Sequence, residues 1–169
     1  MRKLAAVLVL IGSLLSVPFT GPVFADQLDD AVAAHERGDY AIEHRLLKRL
    51  AERGDAHGQN MLGVMYFKGQ GVRQDFAEAV KWYRKAAEQG LAQAQANLGR
   101  MYDNGLGVPR NYVVAHVWYT LAAANFSASE KEYREMAVRD RDTVASKMTP
   151  AEIAEAQQLA RGWKAKKEK

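Results

Sequence analysis

Between residues 26 and 163, apolar side chains recur at the three- and four-residue spacing of amphipathic helices, and no segment alternates as a strand would. Residues that favour helix N-caps precede several of these segments: Asp39, Asp75, Asn111, Ser127 and Thr149. Gly54 and Gly90 follow two of the segments, where glycine permits the left-handed backbone that ends a helix. The pattern predicts an all-α protein of about eight helices.

Two consecutive segments repeat each other at an offset of 36 residues. Residues 55–90 and 91–126 share 14 identities in 36 positions, where composition alone gives about 2 or 3. Each unit carries Leu-Gly-x-x-Tyr on its first predicted helix, a Gly-x-Gly-Val linker, and Trp-Tyr-x-x-Ala-Ala on its second. A weaker unit lies upstream, since Asp39-Tyr40-Ala41 aligns with Asp75-Phe76-Ala77. The chain is therefore expected to stack helix pairs one after another.

These three motifs and the 36-residue period resemble Sel-one-like repeats, which belong to the tetratricopeptide-like superfamily. The resemblance implies a right-handed α-solenoid of antiparallel helix pairs, and it implies the binding of other proteins without naming one. Some exported bacterial members regulate envelope signalling or cell-wall processes. The predicted units are a degenerate repeat over 26–53, repeats over 54–90 and 91–126, and a C-terminal helical cap with a basic tail over 127–169.

The first 25 residues have the pattern of a cleaved secretory signal peptide. Two basic residues precede an unbroken apolar run from Leu4 to Ile11, and small residues at Val23 and Ala25 suit cleavage before Asp26. A membrane span needs about 20 apolar residues, so this run is too short for a retained anchor. We expect export to the bacterial periplasm, or secretion, with no transmembrane span after cleavage.

Net charge and composition reduce the number of function classes that the sequence allows. The chain carries a net charge of +4, but two of its basic residues lie in the signal peptide, and this weakens the case for a nucleic-acid partner. The absence of cysteine excludes disulfides, thiolate metal sites and cysteine nucleophiles. The Gly-x-Gly linkers follow helices rather than strands, unlike phosphate-binding loops. No catalytic, cofactor or metal-binding residue is predicted, and a non-enzymatic role is favoured.

The leading prediction is a protein-binding scaffold of the cell envelope, with another protein or peptide as its partner. Two alternatives stay open. The first is a structural module associated with peptidoglycan or anionic lipid, to which the lysines at 164, 166, 167 and 169 could contribute. The second is an envelope hydrolase, although Ser127, Ser129 and Ser146 all lack the lysine three residues later that a penicillin-type nucleophile requires.

A helical-wheel comparison of the two repeats predicts where the partner binds. On the first helix of each repeat, the positions that are identical in both units occupy one arc, and those that differ occupy the opposite arc, with Gly58 as the one exception. Stacking positions should recur, whereas partner-binding positions need not. The predicted binding residues are His57, Asn60, Met61, Val64, Phe67, Lys68, Gln93, Asn97, Arg100 and Asp103. The alternative is that these side chains pack against a neighbouring helix or are unconstrained.

Two expectations concern stability. Trp82 and Trp118, which occupy the same position in the two repeats, should be largely buried between helices. Gly71, in the first Gly-x-Gly linker, should have a positive φ that a β-branched residue tolerates poorly.

Overall fold

A computed structural model of the protein describes residues 23–165. Eight α-helices and one short 3₁₀ turn, Ala128–Glu130, make up the described chain, and it contains no strand. The prediction of an all-α solenoid is therefore confirmed. The helices are α1 (Val23–Glu36), α2 (Tyr40–Glu52), α3 (Ala56–Lys68), α4 (Phe76–Glu88), α5 (Ala92–Asn104), α6 (Tyr112–Asn125), α7 (Lys131–Ala145) and α8 (Pro150–Gly162).

Consecutive helices pack against each other from α1 to α7, and α8 packs against α6. The three predicted repeat units correspond to α1–α2, α3–α4 and α5–α6, and the predicted cap corresponds to α7 and α8. Most of the predicted signal peptide lies outside the described residues, and its last three residues form the start of α1. The lysines at 166, 167 and 169 also lie outside the described residues.

Side-chain caps explain where several helices begin. The Asp75 carboxylate accepts hydrogen bonds from the backbone N–H groups of Ala77 and Glu78, and the Asn111 side chain accepts one from Val114. Thr149 opens α8 with a reciprocal capping box to its third residue. Asp39 is the exception. Its carboxylate pairs with Arg37 at 3.1 Å and caps nothing, so the prediction of a side-chain cap there is wrong.

The glycine of each Leu-Gly-x-x-Tyr motif makes room for a tyrosine ring. A Cβ placed on Gly63 would lie 2.7 Å from Cδ1 and Cε1 of Tyr83, and a Cβ on Gly99 would lie 2.9 Å from Cδ1 of Tyr119. Both tyrosines are buried in the seam between the two helices of a repeat. The repeated glycine and the repeated tyrosine, 20 residues later, are therefore two halves of one packing contact.

A buried glutamine also recurs and links successive helix pairs. Gln59 Nε2 donates to the carbonyl oxygen of Ala51 at 3.2 Å, and its Oε1 accepts from Gln89 Nε2 at 2.9 Å. The same pattern repeats 36 residues later, where Gln95 donates to Ala87 and accepts from Asn125. These bonds satisfy a polar side chain that has no access to solvent, which explains why this position is identical in the two units.

The positions named in the stability expectations differ in their surroundings. Trp82 is 8% exposed, as predicted. Trp118 is less completely buried than Trp82, and its ring packs edge-on against Trp163 with the centroids 6.2 Å apart. Gly71 has φ +69°, as predicted, and a Cβ there would lie 2.7 Å from the carbonyl oxygen of Tyr40.

Candidate functional site

An open groove of about 770 Å³ runs across the first helices of the second and third repeats. Side chains of α3 and α5 form its two sides, Tyr83 of α4 contributes between them, and the turn before α5 closes one end. Its lining residues are His57, Asn60, Val64, Phe67, Lys68, Tyr83, Gly90, Leu91, Ala92, Gln93, Asn97, Arg100, Asn125 and Glu130.

Eight of the ten predicted binding residues line this groove. The other two lie elsewhere. Met61 packs against a buried cluster that includes Leu62 and Trp82, and Asp103 forms an ion pair with Lys147 at 3.0 Å. Most of the residues that the helical wheel selected therefore lie on one continuous surface.

The apolar members of the predicted surface also pack against buried residues. Val64 and Phe67 pack against the buried cluster around Tyr83 and Leu98. The ring of Phe67 lies 5.6 Å from that of Phe76, centroid to centroid. Packing against a neighbouring helix, the alternative to partner binding, therefore describes Met61, Val64 and Phe67. These side chains pack against neighbouring helices while Val64 and Phe67 also face the groove.

Polar and charged side chains give the groove its chemistry. Asn97 Nδ2 donates to Asn60 Oδ1 at 3.0 Å and bridges α5 to α3 across the groove. The guanidinium carbon of Arg100 lies 4.8 Å from the centroid of the Phe67 ring, in cation–π geometry. Glu130 already has hydrogen-bond donors nearby, because its carboxylate accepts hydrogen bonds from both the backbone N–H and the hydroxyl of Ser127.

A smaller hollow of about 140 Å³ adjoins the groove and extends it towards α7. Gln93, Asn97 and Arg100 line both depressions. The remaining lining residues of the hollow are Ala96, Phe126, Tyr133, Met136, Ala137 and Asp140. Of these, Tyr133 and Met136 are half exposed. The two depressions thus form one continuous surface over α3, α5 and α7.

Sequence reasoning missed the groove residues that recur and those that lie outside the repeat. Tyr83, which recurs as Tyr119, lies on α4, whereas the wheel comparison covered only the first helix of each repeat. Tyr133 and Asp140 lie on α7, which has no counterpart in the repeats and was never compared. The amphipathic pattern of α7 was the only signal that could have placed them on the surface.

Burial changes the pKa of two side chains near these depressions. It raises the pKa of Tyr83, against a smaller opposing effect of the nearby Arg100 charge, so the phenol stays protonated. Burial also raises the pKa of Asp140, and the negative charge of Asp103 adds to that rise. Within residues 23–165, no group of three or more His, Asp or Glu side chains is arranged to hold a metal ion. No helix in that range is long and apolar enough to cross a membrane.

The chain was compared with known families and structures. The Sel1 repeat model matches residues 56–91 and 92–125. No curated protein matches the sequence significantly. Proteins built of Sel1 repeats are in general protein-interaction scaffolds.

Two solved structures are similar to this fold. One is c5321, described as a protective antigen of uropathogenic Escherichia coli with an SLR fold, at 29% identity and a TM-score of 0.75 over 83% of this chain and 29% of that one. The other is a Sel1 repeat protein from Oxalobacter formigenes, at 29% identity and a TM-score of 0.57 over 81% of this chain and 62% of that one. This chain therefore spans less than two thirds of either structure. The family model thus identifies two Sel1 repeats in this chain, over residues 56–125, and the described fold is similar to structures with an SLR fold.

Proposed function

We propose that this protein is a non-catalytic scaffold of the bacterial cell envelope that binds a segment of another protein along its concave groove. The observation that carries the proposal is the clustering of non-repeating polar residues in one groove across α3 and α5. Recurring residues such as Gln59 and Gln95 form hydrogen bonds that hold the stacked helices together, whereas residues that vary between repeats face an open space. A groove of several hundred Å³ with a few fixed polar groups is typical of a binding site.

Site-specific photocrosslinking tests the location of the partner. A photoreactive residue would replace Gln93, which is exposed and lines both depressions, in cells that produce the protein naturally. Arg45 provides the matched control, because it is exposed on α2 and does not line the groove. We expect one discrete protein adduct from position 93 and none from position 45. Equal labelling from both positions would contradict binding in the groove.

The envelope location rests on the predicted signal peptide and has its own test. N-terminal sequencing of the mature protein should begin at Asp26, because Val23 and Ala25 satisfy the preference of signal peptidase for small residues. Recovery of a chain that still begins at Met1 in the membrane fraction would remove the export step from the proposal.

A second candidate function is association with anionic lipid or cell-wall polymer. It is favoured by a largely apolar hollow of about 480 Å³ between α6 and α8, where Leu159 is 51% exposed beside Trp163. Arg161 and Lys164 are exposed at the same end of the molecule. Apolar side chains flanked by basic ones suit a membrane interface. Sedimentation with anionic vesicles or purified peptidoglycan, compared between the natural chain and Leu159→Glu, tests this alternative.

A further inference from the structure

The groove contains a hydroxyl group that nothing in the described chain satisfies. Tyr83 is fully buried and lines the groove, yet its hydroxyl has no hydrogen-bond partner among residues 23–165. Leaving a buried polar group without a hydrogen bond costs about 1–3 kcal/mol, so most such groups in native proteins form a hydrogen bond. Since burial keeps the phenol protonated, Tyr83 is able to donate a hydrogen bond to an acceptor that enters from the groove.

A cation without a counter-ion lines the same groove. Arg100 is exposed there, and it forms no ion pair with any acidic side chain of the described residues. Phe67 connects the two groups, because its ring contacts the Arg100 guanidinium and packs against the buried cluster that contains Tyr83. Asp140 lies in the adjoining hollow. Burial raises the pKa of Asp140 and the charge of Arg100 opposes that rise, but the two side chains are not within ion-pair distance.

The lining of the groove carries more positive than negative charge, with two cations and one carboxylate. Lys68 is a second exposed cation of the lining, and the carboxylate of Glu130 is already held by Ser127. A group that accepts hydrogen bonds and carries negative charge would satisfy both Tyr83 and Arg100. A carboxylate does this well, because hydrogen bonds from guanidinium groups to carboxylates are charge-assisted and stronger than neutral ones.

We propose that the bound partner segment is acidic, and that an Asp or Glu side chain of it accepts hydrogen bonds from the Arg100 guanidinium and the Tyr83 hydroxyl. This inference rests on the proposed function and specifies its partner chemistry. Phe67 helps to position Arg100, since its ring contacts the guanidinium and restricts the positions that Arg100 can take.

Selection of peptides on the purified full chain tests the preference without knowledge of the natural partner. Random dodecapeptides displayed on phage would be selected on the natural chain and on Arg100→Gln. We expect Asp or Glu to be enriched at one position on the natural chain and not on the variant. Each selected peptide would then be synthesised as an acid and as its amide, with Asp changed to Asn or Glu to Gln, and its dissociation constant measured by fluorescence anisotropy.

The expected result is a specific coupling between the carboxylate and the two donors. On the natural chain the amide peptide should bind about tenfold or more weakly than the acid, since hydrogen bonds to charged groups contribute more than neutral ones. On Arg100→Gln the two peptides should bind alike, and Tyr83→Phe should reduce the acid's advantage by a smaller factor. Arg45→Gln, which removes an exposed arginine outside the groove, should leave the full difference in place.

The outcomes separate this inference from the function on which it rests. If selected peptides crosslink to position 93 but acid and amide bind equally to the natural chain, the acidic preference is wrong while groove binding stands. If Arg100→Gln removes the preference and Tyr83→Phe does not alter it, the hydroxyl has no part in recognition. If no selected peptide crosslinks to position 93, the groove is not a peptide site and both proposals fail.

Discussion

Replacement of Gly63 by alanine tests the contact that sets the distance between α3 and α4. A Cβ at this position would lie 2.7 Å from two carbons of the Tyr83 ring and 3.3 Å from the carbonyl oxygen of Ala79. Ordinary carbon–carbon contacts begin near 3.4 Å, so the ring would have to retreat by about 0.7 Å. Tyr83 is fully buried among packed side chains and has little room to do so.

The sign of the stability change follows from two opposing magnitudes. Overpacking a tight core costs about 1–3 kcal/mol, and the close approach to two ring carbons favours the upper half of that range. Alanine in place of a helical glycine contributes up to about 1 kcal/mol of stability. We therefore expect Gly63→Ala to lower the free energy of unfolding by about 1–2 kcal/mol, measured by urea denaturation.

Two controls isolate the ring contact. Gly162 ends α8, and a Cβ there would meet nothing within 4 Å, so Gly162→Ala should be neutral or stabilising. In a Tyr83→Leu background, the loss caused by Gly63→Ala should shrink, because the atoms that it meets are gone. If Gly63→Ala instead raises the stability as much as Gly162→Ala does, the glycine is not required by the ring and the account of this repeat motif is refuted.

Three other changes have definite expected outcomes. Trp82→Ala should cost about 3–5 kcal/mol in chemical denaturation, and Trp118→Ala clearly less, because only Trp82 is fully enclosed; equal losses would contradict this. Gly71→Val should lower stability by about 2 kcal/mol or more, and by more than Gly38→Val, since both have positive φ but only Gly71 faces a neighbouring backbone. Burial lowers the pKa of His116 below its ordinary value of 6.5, so the folded state binds fewer protons than the unfolded state; stability should fall as the pH drops below 6.5, and His116→Gln should flatten that dependence.

Local sequence signals predicted the helices well because their causes are local. An N-cap acts on the N–H groups two or three residues ahead, and Gly54 and Gly90 both have the positive φ that was expected after a helix. Asp39 shows the limit of that reasoning. Aspartate favours the N-cap position that Asp39 occupies, but its carboxylate accepts a hydrogen bond from Arg37, two residues earlier, instead of capping the helix. Competition between two local partners is not decided by residue type alone.

The errors in the predicted site have a common physical origin. A helical wheel describes one helix, whereas a helix inside a solenoid is contacted by its own partner and by the next pair as well. Phe67 lies on the arc that differs between repeats, yet Phe76 covers part of its ring. Gly58 departs from the wheel for the same reason, because a Cβ there would lie 2.6 Å from Cβ of Leu50 on α2. Trp118 packs against two buried clusters and against the ring of Trp163 on the segment after α8, a contact that has no counterpart at Trp82.

The two tyrosines of the repeat show how a regular scaffold acquires a particular chemistry. Tyr83 and Tyr119 occupy the same position, and burial raises the pKa of both. The neighbouring charges differ, because Arg100 opposes the rise at Tyr83, whereas the charges of Asp140 and Asp103 raise the pKa of Tyr119 further.

That difference comes from positions that do not recur. Arg100 takes the place of Val64 in the preceding repeat, and Asp103 takes the place of Phe67. Asp140 lies on α7, outside the repeats. Identical residues thus fix where each phenol sits, while residues that vary decide the charge around it. For this reason, recognition by a Sel1 solenoid should be sought where successive repeats disagree.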